Sequence, residues 1–415
     1  MAALEYIHSS TGETQNVKEV CELYDEMVVN RRWFHKHPEL SFEEVKSAAY
    51  ITEKLESYGI TEIYQQVGVT GVVAMIRGAH SGPTVGLRAD MDALPVQETR
   101  SDIDYASVNE GVMHACGHDG HMSELLCAAK VIFNKLRPIM KGNIKLIFQP
   151  AEEGRGGAPA MIADGVLTGL GGPVDSVYGI HLWSFAKLGQ VCCSSGPVMA
   201  ASDKFEIHVK GKGGHGAAPQ GTVDAIVEAA SLVGALQTII SRNKDPLQTG
   251  VVTCGTIHGG YGYNVIADRV TITGTARSFT SETQALIKER MGCICCGVAQ
   301  TYGGEIELNY EYGYPATVNA YPECVEFVTA AAAKIVGPAS AALPQKTMGA
   351  EDFSYFLQAK PGCFFFVGAA LPGEARPHHK SVFDFDEKAM AIAASILVQL
   401  VYDLLCVPSA RETEH

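Results

Sequence analysis

Four short stretches of this 415-residue chain carry side chains capable of metal or proton chemistry. In HACGHDGH (114–121), Cys116 and His118 stand two residues apart just before a helical pattern. A thiolate and an imidazole so placed can share a cleft and one divalent ion, although simple packing at a helix start, with Asp119 as the cap, fits the same residues. FQPAEEGRGG (148–157) ends a buried-strand pattern on adjacent carboxylates, Glu152 and Glu153. Loops after strand ends collect the active sites of α/β folds. One of two neighbouring acids can be fixed by a cation while the other moves a proton; a solvated acidic loop is the alternative.

SVYGIHLW sets His181 at the end of an apolar run, and RPHHKSVFDFDE (376–387) sets His378 and His379 before a helix, with Asp384 and Asp386 as caps. Each alone also fits a core histidine or a capping loop. Taken together, Cys116, His118, Glu153, His181 and His379 offer five ligands. That is one more than a tetrahedral ion takes, and two ions sharing a bridging ligand use them better. GKGGHGAAP (211–219) lacks the Lys-Ser/Thr of a phosphate loop and presents His215 on a turn. NVIADRV and GTARSF add Asn264 and Arg277, whose guanidinium suits a carboxylate; alone, each reads as structural or surface.

Elements must bring these stretches together. A helical apolar period covers 14–30, and a second helix over 41–59 opens with a capping box, Ser41 to Glu44. β-rich runs at 71–77, 84–90, 143–150 and 176–183, with a helical pattern at 119–136, predict an α/β fold with a mixed central sheet flanked by helices. Near residue 200 the texture changes. Runs at 203–211, 249–260, 267–279 and 304–313 with helices at 223–240 and 283–299 predict an inserted α+β domain of four strands and two helices. A helix (321–335), a strand (362–368) and a last helix (387–406) return to the first texture. The expected division is a discontinuous catalytic domain, 1–200 and 314–415, and a lid and dimerisation domain, 201–313.

Composition excludes other classes. With 46 acidic against 32 basic residues and no long basic run, a nucleic-acid partner is not expected. Ser395, Gln399 and Asp403 form a polar stripe on 389–407, which reads as a packed amphipathic helix and not a membrane span. MAALEYIHSSTGETQ shows no basic segment followed by an apolar one, so a cytoplasmic location is expected. The twelve cysteines, among them Cys192–Cys193 and CICC (293–296), read as buried reduced thiols.

HACGHDGHMSELL, FQPAEEGRGGAPAMIADGVL, GIHLWS, KGKGGHGAAP, NVIADRV and MGAEDFSYF, in this order, resemble the co-catalytic metallopeptidase family that includes aminoacylase, hippurate hydrolase and the indole-acetyl-amino-acid hydrolases. RRWFHKHPELSFEE and LRADMDALPVQE match it too, so the likeness spans nearly the whole chain. It implies the branch in which a Cys replaces the bridging Asp, with Cys116 as bridge, Glu153 and His379 on one ion, and His118 and His181 on the other. His379 is chosen over His378 because it stands four residues before Phe383, as the family's ligand does before its aromatic.

The resemblance further implies Glu152 as general acid/base and Asp90 or Asp119 behind the ligands, orienting an imidazole. His215 would meet the developing oxyanion, and Asn264 and Arg277 the substrate carboxylate. The expected cofactors are two divalent ions per subunit, manganese or zinc, with cobalt as a third candidate. The expected reaction is hydrolysis of the amide bond of an N-acyl-L-amino acid or short peptide by a homodimer or higher oligomer. A carboxypeptidase or dipeptidase on the same scaffold is the alternative. A metal-dependent binding protein without catalysis is opposed by the presence of both Glu152 and Glu153, and a thiol redox enzyme finds only the crowded CICC.

Overall fold

The computed structural model describes residues 15–373 and 375–407; the reading of MAALEYIHSSTGET lies outside them. The described residues divide into two compact units. One holds those up to Gly196, Val318–Gln345 and those from Tyr355 onward; the other holds Pro197–Thr317 and Lys346–Ser354. The second unit therefore differs from the expected 201–313. It takes in 346–354 because Thr347 N–H donates to Val198 O at 3.0 Å and Ala200 N–H to Gly349 O at 2.8 Å.

The large unit is built on a seven-stranded sheet. Its strands are β1 (Ile63–Val67), β2 (Gly71–Arg77), β3 (His80–Asp90), β4 (Lys141–Gln149), β5 (Ser176–Lys187), β6 (Val191–Cys192) and the late strand Gly362–Ala370. The order is β1-β2-β4-β3-β5, then Gly362–Ala370, then β6. The centre is parallel, β4 to β3 to β5 to Gly362–Ala370, and the flanking pairs are antiparallel. Parallel strands are covered on both faces, which is why GCFFFVG reads as an unbroken apolar run, while NIKLIF carries one buried charge, Lys145, whose ammonium donates to Val166 O at 2.7 Å and Gly172 O at 2.6 Å. The class is the mixed α/β one expected.

Helix α4 (His118–Val131) is buried along its whole length except Lys130 and packs against Lys388–Leu405 and α2 (Tyr24–Lys36). Gly120 lets α4 also lie close against β5 and the segment before Lys388: a Cβ there would come within 2.5 Å of Leu182 and 2.6 Å of Phe385. The apolar helix Lys388–Leu405 is buried in this core.

Several local expectations fail for tertiary reasons. The helix read over 14–30 is two, α1 (Gln15–Glu22) and α2, so RRWFHK is helical. Ser41 and Glu44 form no capping box. Ser41 Oγ donates to Asp92 at 2.7 Å, the Glu44 carboxylate accepts from Thr70 Oγ1 and from Ala151 N–H at 2.9 Å, and α3 (Val45–Ser57) starts after them. All twelve cysteines are free thiols, but Cys293 and Cys296 are exposed on the outer side of helix Ser281–Tyr302 while Cys295 faces the core.

The second unit has an antiparallel sheet of Gly250–Gly259, Arg269–Ser278, Ala201–Lys210 and Glu305–Tyr314, in that order. Residues alternate in and out along Ala201–Lys210, and its inward Phe205, Ile207 and Val209 share a core with Leu232 and Leu236 of Ala225–Thr238 and Ile287 and Met291 of Ser281–Tyr302.

Candidate metal centre

The five ligand candidates come together in the large unit, around the C-terminal ends of its parallel strands. Glu152 and Glu153 follow β4 directly, and His181 lies on β5. Gly117, at φ 99°, turns the chain into α4 and so presents Cys116 and His118 on either side of the turn. His379 enters from its own loop at φ 63°, a backbone conformation uncommon for a side-chain-bearing residue. It is held there by its N–H on Ala115 O at 2.7 Å.

Donor atoms of Cys116, His118 and His181 all lie within 4.8 Å of one another, and so do those of Cys116, Glu153 and His379. Cys116 Sγ is 3.5 Å from His181 Nε2, and Glu153 Oε1 is 3.5 Å from His379 Nε2 and 3.9 Å from His118 Nε2. Glu152, buried, forms a further such group with His118 and Glu153.

The tautomers follow from the partners. His118 Nδ1 meets the backbone oxygen of Asp92 at 2.8 Å, and His181 Nδ1 meets that of Leu182 at 2.7 Å. A carbonyl only accepts, so each Nδ1 carries hydrogen, and each ring in its neutral form turns a bare Nε2 into the cluster. His118 Nε2 and Glu153 Oε1 are buried with no hydrogen-bond partner, a costly state that a bound cation relieves.

The electrostatics agree. Burial pushes the Cys116 thiol far up, and Glu153, Glu152 and Asp90 add to it. Burial pulls His118 down, but Asp90, Asp92 and Glu153 outweigh it and raise the ring to about 10. This surplus of negative charge, with thiol, imidazole and carboxylate donors, fits divalent metal ions.

The supporting residues differ from those expected. Backbone carbonyls of Asp92 and Leu182, not the Asp90 or Asp119 carboxylates, meet the Nδ1 atoms of the His118 and His181 rings. Asp119 accepts from Arg31 Nε and His35 Nδ1, both at 2.8 Å, while Arg31 also reaches Asp384 at 2.8 Å. Asp90 accepts from Arg88 at 2.7 Å and from His121 Nδ1 at 2.6 Å, and lies 3.6 Å from His118 Nε2. His121 Nε2 accepts Leu182 N–H at 2.8 Å, so both its nitrogens are occupied by protein. Burial drives His378 down to about 3, and this neutral ring accepts Ser184 N–H at 3.1 Å and donates to Cys116 O at 3.2 Å.

Asp92 and Glu44 were missed by sequence reasoning. Asp92 takes the N–H groups of Glu152 and Glu153, each at 3.0 Å, and Glu44 takes that of Ala151, which sits at φ 54°. Two buried carboxylates thereby fix the backbone that carries Glu152 and Glu153. The only sequence signal was the two-residue spacing of Asp90 and Asp92 in LRADMDALP.

His215, Asn264 and Arg277 belong to the second unit. His215 is exposed on the two-residue strand Gly214–His215, paired with Val265–Ile266, and Gly216 N–H donates to Asn264 O at 2.8 Å. Arg277 is half-buried and donates to Thr275 Oγ1 and to Ala276 O at 3.3 Å.

Residues 86–403, about three quarters of the chain, match the family described as Peptidase family M20/M25/M40. The chain is 38% identical over 391 residues to hippurate hydrolase of Campylobacter jejuni, covering 94% of this chain and 99% of that protein. It is 42% identical over 383 residues to thermostable carboxypeptidase 2 of Saccharolobus solfataricus, covering 91% and 94%. The crystal structure of a dinuclear metal binding peptidase of the M20 family from Bacillus subtilis superposes with a TM-score of 0.80 at 32% identity, covering 93% of this chain and 99% of that one.

Proposed function

The chain belongs to peptidase family M20/M25/M40, and from that premise we propose that it hydrolyses the amide bond of N-acyl-L-amino acids with the help of two divalent cations. The observation that carries the reading is the pair of donor groups sharing Cys116, with His118 and His181 on one side and Glu153 and His379 on the other.

Bound divalent cations supply Lewis acidity, which polarises a carbonyl and acidifies water. Glu152 adjoins His118 and Glu153 without being needed in either group. It is assigned to take a proton from the attacking water on a carboxylate oxygen and to deliver it to the departing amine nitrogen. Asp92 keeps Glu152 aimed through its amide N–H. On the resemblance carried by the sequence, His215 is assigned to the developing oxyanion, and Asn264 and Arg277 to the substrate carboxylate. Zinc suits the thiolate and imidazole by softness; manganese, with cobalt behind it, is the other assignment. A homodimer or higher oligomer in the cytoplasm completes the proposal.

The relative named a carboxypeptidase favours a second reading, cleavage of short peptides at a free C-terminus. Both readings are tested by amino-acid release from N-acetyl, N-benzoyl and indole-acetyl amino acids and from dipeptides, using metal-stripped protein with and without Mn²⁺ or Zn²⁺. Metal-dependent release from the acyl amino acids supports the first, and release from dipeptides alone supports the second. No release from any of them overturns both.

A further inference from the structure

His378 stands beside a ligand candidate in the chain, yet both its ring nitrogens are engaged by backbone groups of two other segments. Nδ1–H donates to Cys116 O at 3.2 Å, and Nε2 accepts Ser184 N–H at 3.1 Å. The ring is held between Trp183, at 5.0 Å and 27°, and Phe383, at 4.9 Å and 34°, with the His181 ring set across it at 5.2 Å and 75°. The neighbouring residue repeats the pattern, since His379 N–H donates to Ala115 O. Residues 378 and 379 thus bond to the consecutive carbonyls of 116 and 115.

We propose that His378 is a positioning residue: one neutral imidazole ties Cys116, the strand bearing His181 and the loop bearing His379, and so sets the spacing of the cation ligands. This rests on reading those three residues as ligands. The chemistry is specific to histidine. An imidazolium has no lone pair to accept Ser184 N–H. A phenyl ring fills the aromatic sandwich but leaves Cys116 C=O and Ser184 N–H without this partner. Cys116 belongs to both donor groups, so a shift of its backbone is felt by both cations.

The test titrates Co²⁺ into metal-stripped full-length wild type, His378→Phe and His378→Asn, following affinity and the thiolate-to-cobalt charge-transfer band. His378→Phe is expected to keep the near-ultraviolet circular dichroism of the fold, lose on the order of 10- to 100-fold in cobalt affinity, and change the band. His378→Asn restores a donor toward Cys116 O and is expected to recover part of both. Wild-type affinity and an unchanged band in His378→Phe would overturn the proposal.

Should His378→Phe not fold, the wild-type tautomer decides. Nitrogen-15 spectra of histidine-labelled protein are expected to show His378 protonated at Nδ1 and bare at Nε2; the opposite tautomer overturns the proposal. Absence of cobalt binding by wild type would overturn the ligand reading itself, and the role of His378 with it.

Discussion

His118 Nε2 and Glu153 Oε1 stand 3.9 Å apart, both buried, and neither meets a hydrogen-bond partner. The protein spends three hydrogen bonds behind these two atoms, on the His118 ring and on the amides of Glu152 and Glu153, and leaves the atoms themselves bare. Such an arrangement costs stability unless a proton on His118 or a bound cation lies between them.

Sharing of Cys116 by the two donor groups predicts unequal effects of ligand removal. Cys116→Ala should weaken both cations, whereas His181→Ala should leave one of them in place. Metal analysis after gel filtration in metal-free buffer should give near zero for the first variant and near one per chain for the second. Equal stoichiometry would contradict the sharing.

Cation binding should release protons. With its pKa raised to about 10, His118 carries a proton at neutral pH in the metal-free protein, and the Cys116 thiol is protonated too. Ligands bind deprotonated, so affinity should rise with pH between 6 and 8. Calorimetry in buffers of different ionisation enthalpy should report at least one proton released per chain; none would contradict it.

Asp92→Asn keeps the shape but removes the charge that accepts the amides of Glu152 and Glu153 and the Ser41 hydroxyl. The expected loss is on the order of 10- to 100-fold in kcat, with the substrate KM little changed. A rise in KM at unchanged kcat would contradict a role in aiming Glu152.

Arg31→Met leaves buried Asp119 without its guanidinium, and about 3–5 kcal/mol of stability should be lost at pH 7. Burial alone would raise the Asp119 carboxyl, but Arg31 and His35 reverse this and hold it far below its usual range. A depressed carboxyl stabilises above its unfolded value, about 3.9, and that stabilisation is lost as pH falls below it. Protonation of Asp119 relieves the variant at higher pH than wild type. Urea unfolding should therefore show the gap between them narrowing as pH falls toward 4; a constant gap would contradict the pairing.

The candidate ligands that the structure brings together were legible in the sequence because HACGH places its donors at a helix start, AEEG after a strand end and GIH on a central strand. Arg31, Glu44 and Asp92 were not. Their roles are hydrogen bonds across 88, 107 and 60 residues of chain, and no local period encodes such partners. The same competition explains Ser41, which reads as a helix cap and instead serves Asp92. The boundary of the second unit was misread because 346–354 joins it through backbone bonds to 198–200, which leave no trace in composition.

The central claim is that two cations on these five ligands act with Glu152 as the proton carrier. Metal-stripped wild type and Glu152→Gln would be titrated with Mn²⁺ while binding and hippurate hydrolysis are measured together. Both proteins should bind two equivalents, with activity appearing only in wild type. Hydrolysis by the stripped protein, or by Glu152→Gln at a wild-type rate, would contradict it.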